Sequence, residues 1–509
     1  MKKFFNLLFS RPVFTGLFML LQLCALFLVV VVLNEYYLLF YAANLLLSVL
    51  LVLRIVSRNG NPAYKIAWIM PILALPIFGT LLYLVFGRDT LTKREKQRMD
   101  IVTEKYKSAV LTVAEEHSPP LPPDAACMSR YISSTAFAPA YSNTETRYLP
   151  LGEIMHQEML RALESAEKFI FLEYYIVSPG IMWDSIHDIL KRKAAAGVDV
   201  RLIYDDWGCM FRLPDGYDKV LEAEGIRCSV FSRFRPELSS RFNNRNHRKI
   251  CVVDGNTGFT GGINISDEYI NASPRCGHWL DCGIMLRGRG VYGLTAMFLS
   301  MWDVIRHEDD DFALYAPNES LCRSIRATGW VQPFMDSPLD DLAVGENVYL
   351  QIINRATRYV YINSPYLIVD NEILTALCSA AYSGVDVRIV TPAICDSRIV
   401  HEITQSYYEP LIQAGVKLYE YTPGMVHAKT FVSDDRVAVV GSINLDYRSL
   451  FLHYECAVWM FETTAIAEMK AAYLDEVEKS TFITAEVCRQ QRRGKRLLRA
   501  ILRTLAPLF

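Results

Sequence analysis

The chain is predicted to be an α/β protein: two tandem α/β units of one plan, facing each other across a pseudo-twofold axis behind an apolar N-terminal region. Three observations predict this. His247-Arg248-Lys249-Ile250-Cys251-Val252-Val253-Asp254 recurs in spacing as His427-Ala428-Lys429-Thr430-Phe431-Val432-Ser433-Asp434. Gly261 and Asn264 follow the first histidine, and Gly441 and Asn444 the second, at the same offsets of 14 and 17 residues. Upstream, Gly197-Val198-Asp199-Val200-Arg201 recurs letter for letter as Gly384-Val385-Asp386-Val387-Arg388. Each of those copies follows a helix-like segment, Ile186 to Ala196 or Asn371 to Ser383, and each helix follows an apolar run, Phe169 to Val177 or Tyr359 to Val369. Gly225-Ile226-Arg227 is echoed by Gly415-Val416-Lys417. A frame repeated over this length is an internal duplication. Its order of strand, helix, strand, helix, strand and His-x-Lys strand is that of α/β units. The first copy has 22 residues from Gly225 to His247 and the second 12 from Gly415 to His427, so the first carries an inserted loop.

In chain order, residues 1–88 form the apolar region, with helices expected at about 13–33, 37–56 and 67–86. Hydrophobic residues make up 51% of the chain and the mean hydropathy is +0.15, an excess concentrated before Arg88. Val13 to Leu33 has no charged residue and is long enough to cross a hydrocarbon core of ~30 Å. Leu38 to Leu53 reads as the return limb of a tight helical hairpin. Ala67 to Phe86 reads as a third span despite Pro71 and Pro76, because neighbouring helices can satisfy the carbonyls that proline frees. A cleaved signal is disfavoured, since no small-residue cleavage site follows the first run and further apolar segments do. With three spans, six flanking cations (Lys2, Lys3, Arg11, Arg54, Arg58, Lys65) face five (Arg88, Lys93, Arg94, Lys96, Arg98), too even a division to orient the chain. Eleven of the twelve cysteines lie beyond residue 120 without metal-type spacing, which suits a reducing compartment and a catalytic region on the cytoplasmic face.

Residues 89–147 read as a linker containing the stiff segment Ser118-Pro119-Pro120-Leu121-Pro122-Pro123. The two halves follow at 148–331 and 332–485. Within the first, Phe231 to Lys249 carries Arg233, Arg235, Arg241, Arg245, Arg248 and Lys249, a loop suited to drawing in an anionic head group. Residues 486–509 form a basic amphipathic helix. In it Arg492, Arg493, Lys495, Arg496, Arg499 and Arg503 alternate with Leu497, Leu498, Ile501, Leu502 and Leu505 to give an apolar stripe with a cationic rim, as in helices lying on anionic membranes. The formal net charge of -2 argues against nucleic acid as a partner.

The paired motifs resemble the HKD signatures of the phospholipase D superfamily. The run Gly441-Ser442-Ile443-Asn444-Leu445-Asp446-Tyr447-Arg448-Ser449 leading to Glu455 is similar to the pattern in bacterial cardiolipin synthases. So are Thr260-Gly261-Gly262-Ile263-Asn264-Ile265-Ser266-Asp267-Glu268-Tyr269 and the N-terminal ending Tyr83-Leu84-Val85-Phe86-Gly87. Two features depart from the family: three apolar stretches where two spans are common, and Leu452-His453-Tyr454-Glu455 where Leu-Asn-Phe-Glu is usual. The resemblance implies two phospholipase D-like α-β-α sandwich halves sharing one site.

Phosphodiester exchange in two steps needs a neutral nucleophile, a proton donor for the leaving alcohol, and fixed positive charge at the phosphate. Histidine suits the first two roles, because its ordinary pKa of ~6.5 allows one ring to be neutral while another is charged. His247 and His427 are therefore the candidate nucleophile and acid–base pair, with a phosphohistidine between the steps. Either ring fits the nucleophile's role, and the resemblance assigns it to His247. Lys249 and Lys429 lie two residues on, on the histidines' side of each strand, where they would hold the phosphoryl oxygens with Asn264 and Asn444. Asp281 and Glu455, 34 and 28 residues after the two histidines, match the family's carboxylates and are the candidates to orient the rings. Asp254 and Asp434 complete the two catalytic signatures, and the resemblance makes them structural. His278, His401 and His453 form no pair at ligand spacing and no Gly-rich phosphate loop is evident, so neither metal nor cofactor is expected. The resemblance implies a membrane-bound transferase that takes phosphatidylglycerol among anionic lipids and makes cardiolipin. A phospholipase D-type hydrolase, or a transferase to a different alcohol, would use the same residues.

Overall fold

The computed structural model describes residues 37–58, 61–87, 93–115, 121–233, 244–339, 342–490 and 493–508, with four isolated positions before residue 37. The first expected apolar helix apart from those four positions, most of the basic loop (234–243) and Arg492 lie outside these residues. The chain forms two compact units: residues 1–92 with 232–244, and residues 93–231 with 245–507.

In the smaller unit, helices span Tyr37–Ser57, Pro62–Ala74 and Pro76–Phe86. Asn61 caps the second by accepting from the Ala63 N–H at 2.9 Å, with Pro62 in the first turn, where a missing N–H costs nothing. The expected third span at 67–86 is thus two helices broken at Leu75. Pro76 cannot donate to the preceding turn and steers Leu75 out of helical backbone, to φ -134° and ψ 73°. Gly79 then lies against the Pro71 carbonyl so closely that a Cβ would stand 2.1 Å from its oxygen. Leu51, Ile55, Ile72 and Tyr83 form the small core, and the Ser48 and Thr80 hydroxyls meet at 2.8 Å. Leu46, Leu50, Leu53 and Val56 are exposed along one side of the first helix. Among the described residues no helix is long and apolar enough to cross a membrane.

The larger unit contains two large sheets and one two-stranded sheet. The first half supplies β1 (Thr144–Leu149), β2 (Phe169–Tyr174), β3 (Asp199–Asp205), β4 (Arg227–Phe231), β5 (Arg245–Asn246), β6 (Lys249–Val253), β7 (Thr257–Gly261), β8 (His278–Leu280) and β9 (Gly283–Gly288). The second supplies β10 (Trp330–Asp336), β11 (Tyr359–Asn363), β12 (Asp386–Pro392), β13 (Lys417–Tyr421), β14 (Gly424–Val426), β15 (Thr430–Ser433), β16 (Val437–Gly441), β17 (His453–Phe461) and β18 (Ser480–Ile483). Sheet orders are β1-β9-β7-β6-β2-β3-β4 and β10-β17-β16-β15-β11-β12-β13-β18, the same path twice with one added edge strand. In each, three strands run parallel through helical crossovers and the His-x-Lys strand joins them antiparallel.

The two halves share a core and do not stand as separate domains. Phe171, Ile250 and Ile284 of the first sheet belong to one buried cluster with Tyr361, Val432 and Val458 of the second. Each half's long final helix reaches across. Val291–Arg306, buried from Val291 to Asp303, sets Gly293 so near Pro333 of β10 that a Cβ would lie 3.0 Å away. In the helix Ala465–Glu478, Glu468 accepts from the Tyr148 N–H of β1 at 2.8 Å.

The expected linker is in large part helical. Lys93–Glu115 buries Val102, Tyr106 and Val110, a row at helical spacing that the neighbouring prolines obscured. Pro123–Thr135 begins at the prolines themselves, since proline is favourable in a first turn. The C-terminal helix, Arg493–Leu505, also departs from expectation. Three of its cations are engaged by the chain: buried Arg499 meets Glu402 through Nε at 2.7 Å, Lys495 meets Glu402 at 3.0 Å, and Arg503 covers the Tyr407 ring. Leu497, Leu498 and Ile501 are left exposed.

Candidate active site

Two short parallel pairings between the halves build the site. β5 pairs with β17 and β14 with β8, so each histidine enters along a strand of the other half. The His247 N–H donates to the Tyr454 carbonyl at 2.9 Å, and the His427 N–H to the Leu280 carbonyl at 2.7 Å. Each histidine thereby meets the opposite half's carboxylate. His247 Nδ1 lies 2.9 and 3.0 Å from the two Glu455 oxygens, and His427 Nδ1 lies 2.6 Å from Asp281 Oδ2. An Nδ1–H donated to a carboxylate leaves Nε2 as the reacting nitrogen of each ring.

Both imidazoles are buried, 7% and 6% exposed, which limits access of water to them. Burial holds His247 below the ordinary histidine value, with Glu455 opposing. Burial and the Lys429 charge do the same to His427, with Asp281 opposing. Glu455, although buried, is held well below the usual carboxylate range by His247. Burial brings Lys249 down to about 7 and Lys429 to about 8, against the pull of the same two carboxylates. Lys249 Nζ donates to the His247 carbonyl at 2.5 Å; Lys429 Nζ donates to the His427 carbonyl and lies 2.8 Å from its Nδ1.

The two carboxylates are supported differently. Ser442 Oγ donates to Glu455 Oε2 and accepts from the Cys456 N–H at 3.0 Å. The matching position in the first half is Gly262, where a Cβ would stand 2.2 Å from Asp281 Oδ1 and 2.9 Å from the His427 carbonyl. Asp281 instead accepts from the Cys282 N–H at 2.8 Å. The paired asparagines are partly committed to the fold: Asn264 accepts from the Ile176 N–H and donates to the Tyr269 hydroxyl, and Asn444 donates to Ser449.

Asp254 and Asp434 stand apart from the rings. At φ 52° and 55° they occupy left-handed turns after β6 and β15. Asp254 accepts the N–H groups of Glu167, Lys168 and Phe169, and Asp434 those of Thr357, Arg358 and Tyr359. They fix the start of β2 and β11 beside the catalytic strand, which corrects their grouping with the catalytic residues. The described part of the basic loop is corrected too. Arg245 and Arg248 are buried, lie over the Trp207 and Tyr454 rings, and face Asp205 and Glu173 at 3.7 and 3.9 Å.

Three neighbours of the rings escaped the sequence reading. Tyr175 stands edge-on to His247, and Tyr269 edge-on to His427. His453, noted as a departure from the family pattern and as a histidine without a ligand-spaced partner, lies 5.5 Å ring to ring from His247. Its Nδ1 is 3.6 Å from Glu455 Oε1, and neither ring nitrogen has a hydrogen-bond partner among the described residues.

A family model described as "Cardiolipin synthase, PLD-like domain" matches residues 159–275 and 349–476. Another, "Phospholipase D-nuclease N-terminal", matches residues 46–88. An uncharacterized protein of Streptococcus mutans is 40% identical over 465 residues, 90% of this chain and 99% of its own length. A cardiolipin synthase of Geobacillus kaustophilus is 34% identical over 473 residues, 91% of this chain and 92% of its own. Among solved structures, a phosphatidylserine synthase of Haemophilus influenzae superimposes with a TM-score of 0.55 at 14% identity, covering 75% of this chain and 98% of that one. That last likeness is one of fold.

Proposed function

Because the chain belongs to the cardiolipin synthase family of phospholipase D-like proteins, we propose that it joins two phosphatidylglycerol molecules at the site between its halves. The protein is a phosphatidyltransferase, and its reaction is the synthesis of cardiolipin with release of glycerol. The observation that carries the mechanism is the pair of histidines, each with its Nδ1 on a carboxylate. His247 Nε2 attacks the phosphorus of the first phosphatidylglycerol, and the phosphorus–oxygen bond to glycerol breaks. His427 gives its Nε2 proton to the departing oxygen. The free hydroxyl of a second phosphatidylglycerol then passes its proton back to His427 and attacks the phosphatidyl-histidine, whose phosphorus–nitrogen bond breaks to release cardiolipin.

The bound phosphodiester's charge favours protonation of the imidazole and lysines that burial had disfavoured. Lys249 and Lys429, with the remaining donors of Asn264 and Asn444, hold the phosphoryl oxygens; such preorganised donors are typically worth ~2.7–4 kcal/mol each in the transition state. Detergent-solubilised protein given phosphatidylglycerol as its only lipid should yield cardiolipin and glycerol in equal amounts, read by mass. Phosphatidic acid without cardiolipin would make it a hydrolase, or a transferase to another alcohol, and overturn this reading.

The setting is a membrane, with the catalytic region on the cytoplasmic face. The apolar faces left exposed on the N-terminal helices support insertion. On the C-terminal helix, Arg499 and Arg503 are engaged by the chain and Leu497, Leu498 and Ile501 are left to enter the acyl boundary, each burial worth ~1.5–3 kcal/mol. Replacing Leu498 and Ile501 together by aspartate should lower activity on phosphatidylglycerol vesicles about tenfold. Activity on a monomeric short-chain analogue should stay unchanged; an equal fall on both substrates would refute a role in docking.

A further inference from the structure

His453 is given no role in the mechanism above, yet it stands in the site. As the first residue of β17 it sits two residues before Glu455 and on the same side of the strand, against His247. One ligand atom from each of His247, His453 and Glu455 can be chosen so that all lie within 4.8 Å of one another. Tetrahedral zinc with bonds of ~2.0–2.1 Å sets neighbouring ligand atoms roughly 3.3 Å apart. The distances from Glu455 Oε1 to the Nδ1 atoms of His247 and His453, 2.9 and 3.6 Å, fall on either side of that value. Two imidazoles and a carboxylate form a donor set suited to zinc and its transition-metal neighbours, not to calcium or magnesium.

The other half lacks the counterpart. There the residue two before Asp281 is Trp279, whose ring lies 5.6 Å from that of His427. The pseudo-symmetry therefore provides one such cluster, and it falls on His247. We propose that His247, His453 and Glu455 form a binding site for a zinc-class divalent ion that switches the enzyme off. An ion held at Nδ1 of His247 displaces Glu455 as its hydrogen-bond partner and places the ring's proton on Nε2, the nitrogen that must attack phosphorus. Binding rests on the three side chains alone; inhibition rests on the assignment of His247 to catalysis. Sequence spacing concealed the cluster because His247 and Glu455 are 208 residues apart.

The test separates the two parts. Full-length protein in detergent, without lipid, is dialysed against zinc chloride and its zinc counted; cobalt(II) is used in parallel for the visible bands of a tetrahedral site. One ion per chain is expected for the wild type. His453→Asn, which places the family's usual residue at that position, should weaken uptake by more than the ~10- to 100-fold typical of losing a group that only orients a ligand. His453→Gln serves as a second variant, with thermal unfolding as the check on folding. In the phosphatidylglycerol assay, zinc should inhibit the wild type reversibly, with activity restored by a chelator. Measured against its own metal-free rate, His453→Asn should lose zinc sensitivity by the same factor. Absence of zinc uptake, or equal uptake by wild type and both His453 variants, would overturn the site. Uptake that follows His453 while activity ignores zinc would overturn the switch and leave the transferase reading intact.

Discussion

Alanine at His247 or at His427 is expected to lower cardiolipin formation by about 10⁴- to 10⁶-fold, because residues acting as one catalytic unit lose nearly everything when either is removed. The two losses have different causes, and the donor's leaving group separates them. Glycerol is a poor leaving group and, with the roles proposed above, needs the His427 proton. The nitrophenolate of a phosphatidyl nitrophenyl ester departs as a stabilised anion and needs none. With that donor His427→Ala should recover a burst of nitrophenolate, one per active chain, and an adduct on the peptide containing His247 after an alkaline quench. His247→Ala should give neither burst nor adduct. The reverse pattern would exchange the assigned roles, and bursts from both variants would remove the covalent intermediate. Each substitution also takes a partner from a buried carboxylate, so circular dichroism and thermal unfolding are recorded to show that both variants remain folded at the assay temperature.

The duplicated frame was legible because its period is carried by the residues themselves: histidine, lysine and asparagine recur at fixed offsets, and the apolar runs around them alternate in the order of an α/β unit. The two sheets follow the predicted order for the same reason. The crossing of partners had no such record. Whether Glu455 meets His427 or His247 is decided by two pairings only two or three residues long, β5 with β17 and β14 with β8. Such contacts between segments 146 and 208 residues apart leave no local pattern. The C-terminal helix illustrates another limit. Its amphipathic pattern defines two faces, but which face turns inward depends on Glu402 and Tyr407, nearly a hundred residues earlier. The linker was misread for a simpler reason: prolines that open the helix Pro123–Thr135 were taken, on composition alone, for a spacer.

That crossing makes the last prediction the sharpest. Glu455→Gln should reduce transfer by about 10³- to 10⁴-fold with the protein still folded. The amide turns an N–H toward His247 Nδ1, so the ring moves its proton to Nε2 and the lone pair that attacks phosphorus is lost. Asp281→Asn should do the same to His427 and deprive it of the lone pair that accepts the second lipid's proton. If each carboxylate served the histidine of its own repeat, Glu455→Gln would behave like His427→Ala and recover its burst with the nitrophenyl donor. The observed distances require the opposite: Glu455→Gln should fail with that donor as His247→Ala does, and Asp281→Asn should recover. A double variant of His247→Ala with Glu455→Gln should be no slower than His247→Ala alone, because the glutamate acts through that ring. Ser442 adds a graded control. Ser442→Ala removes one donor from Glu455 while leaving the carboxylate in place, so its effect should be smaller, about tenfold, and should vanish when Glu455 is already glutamine.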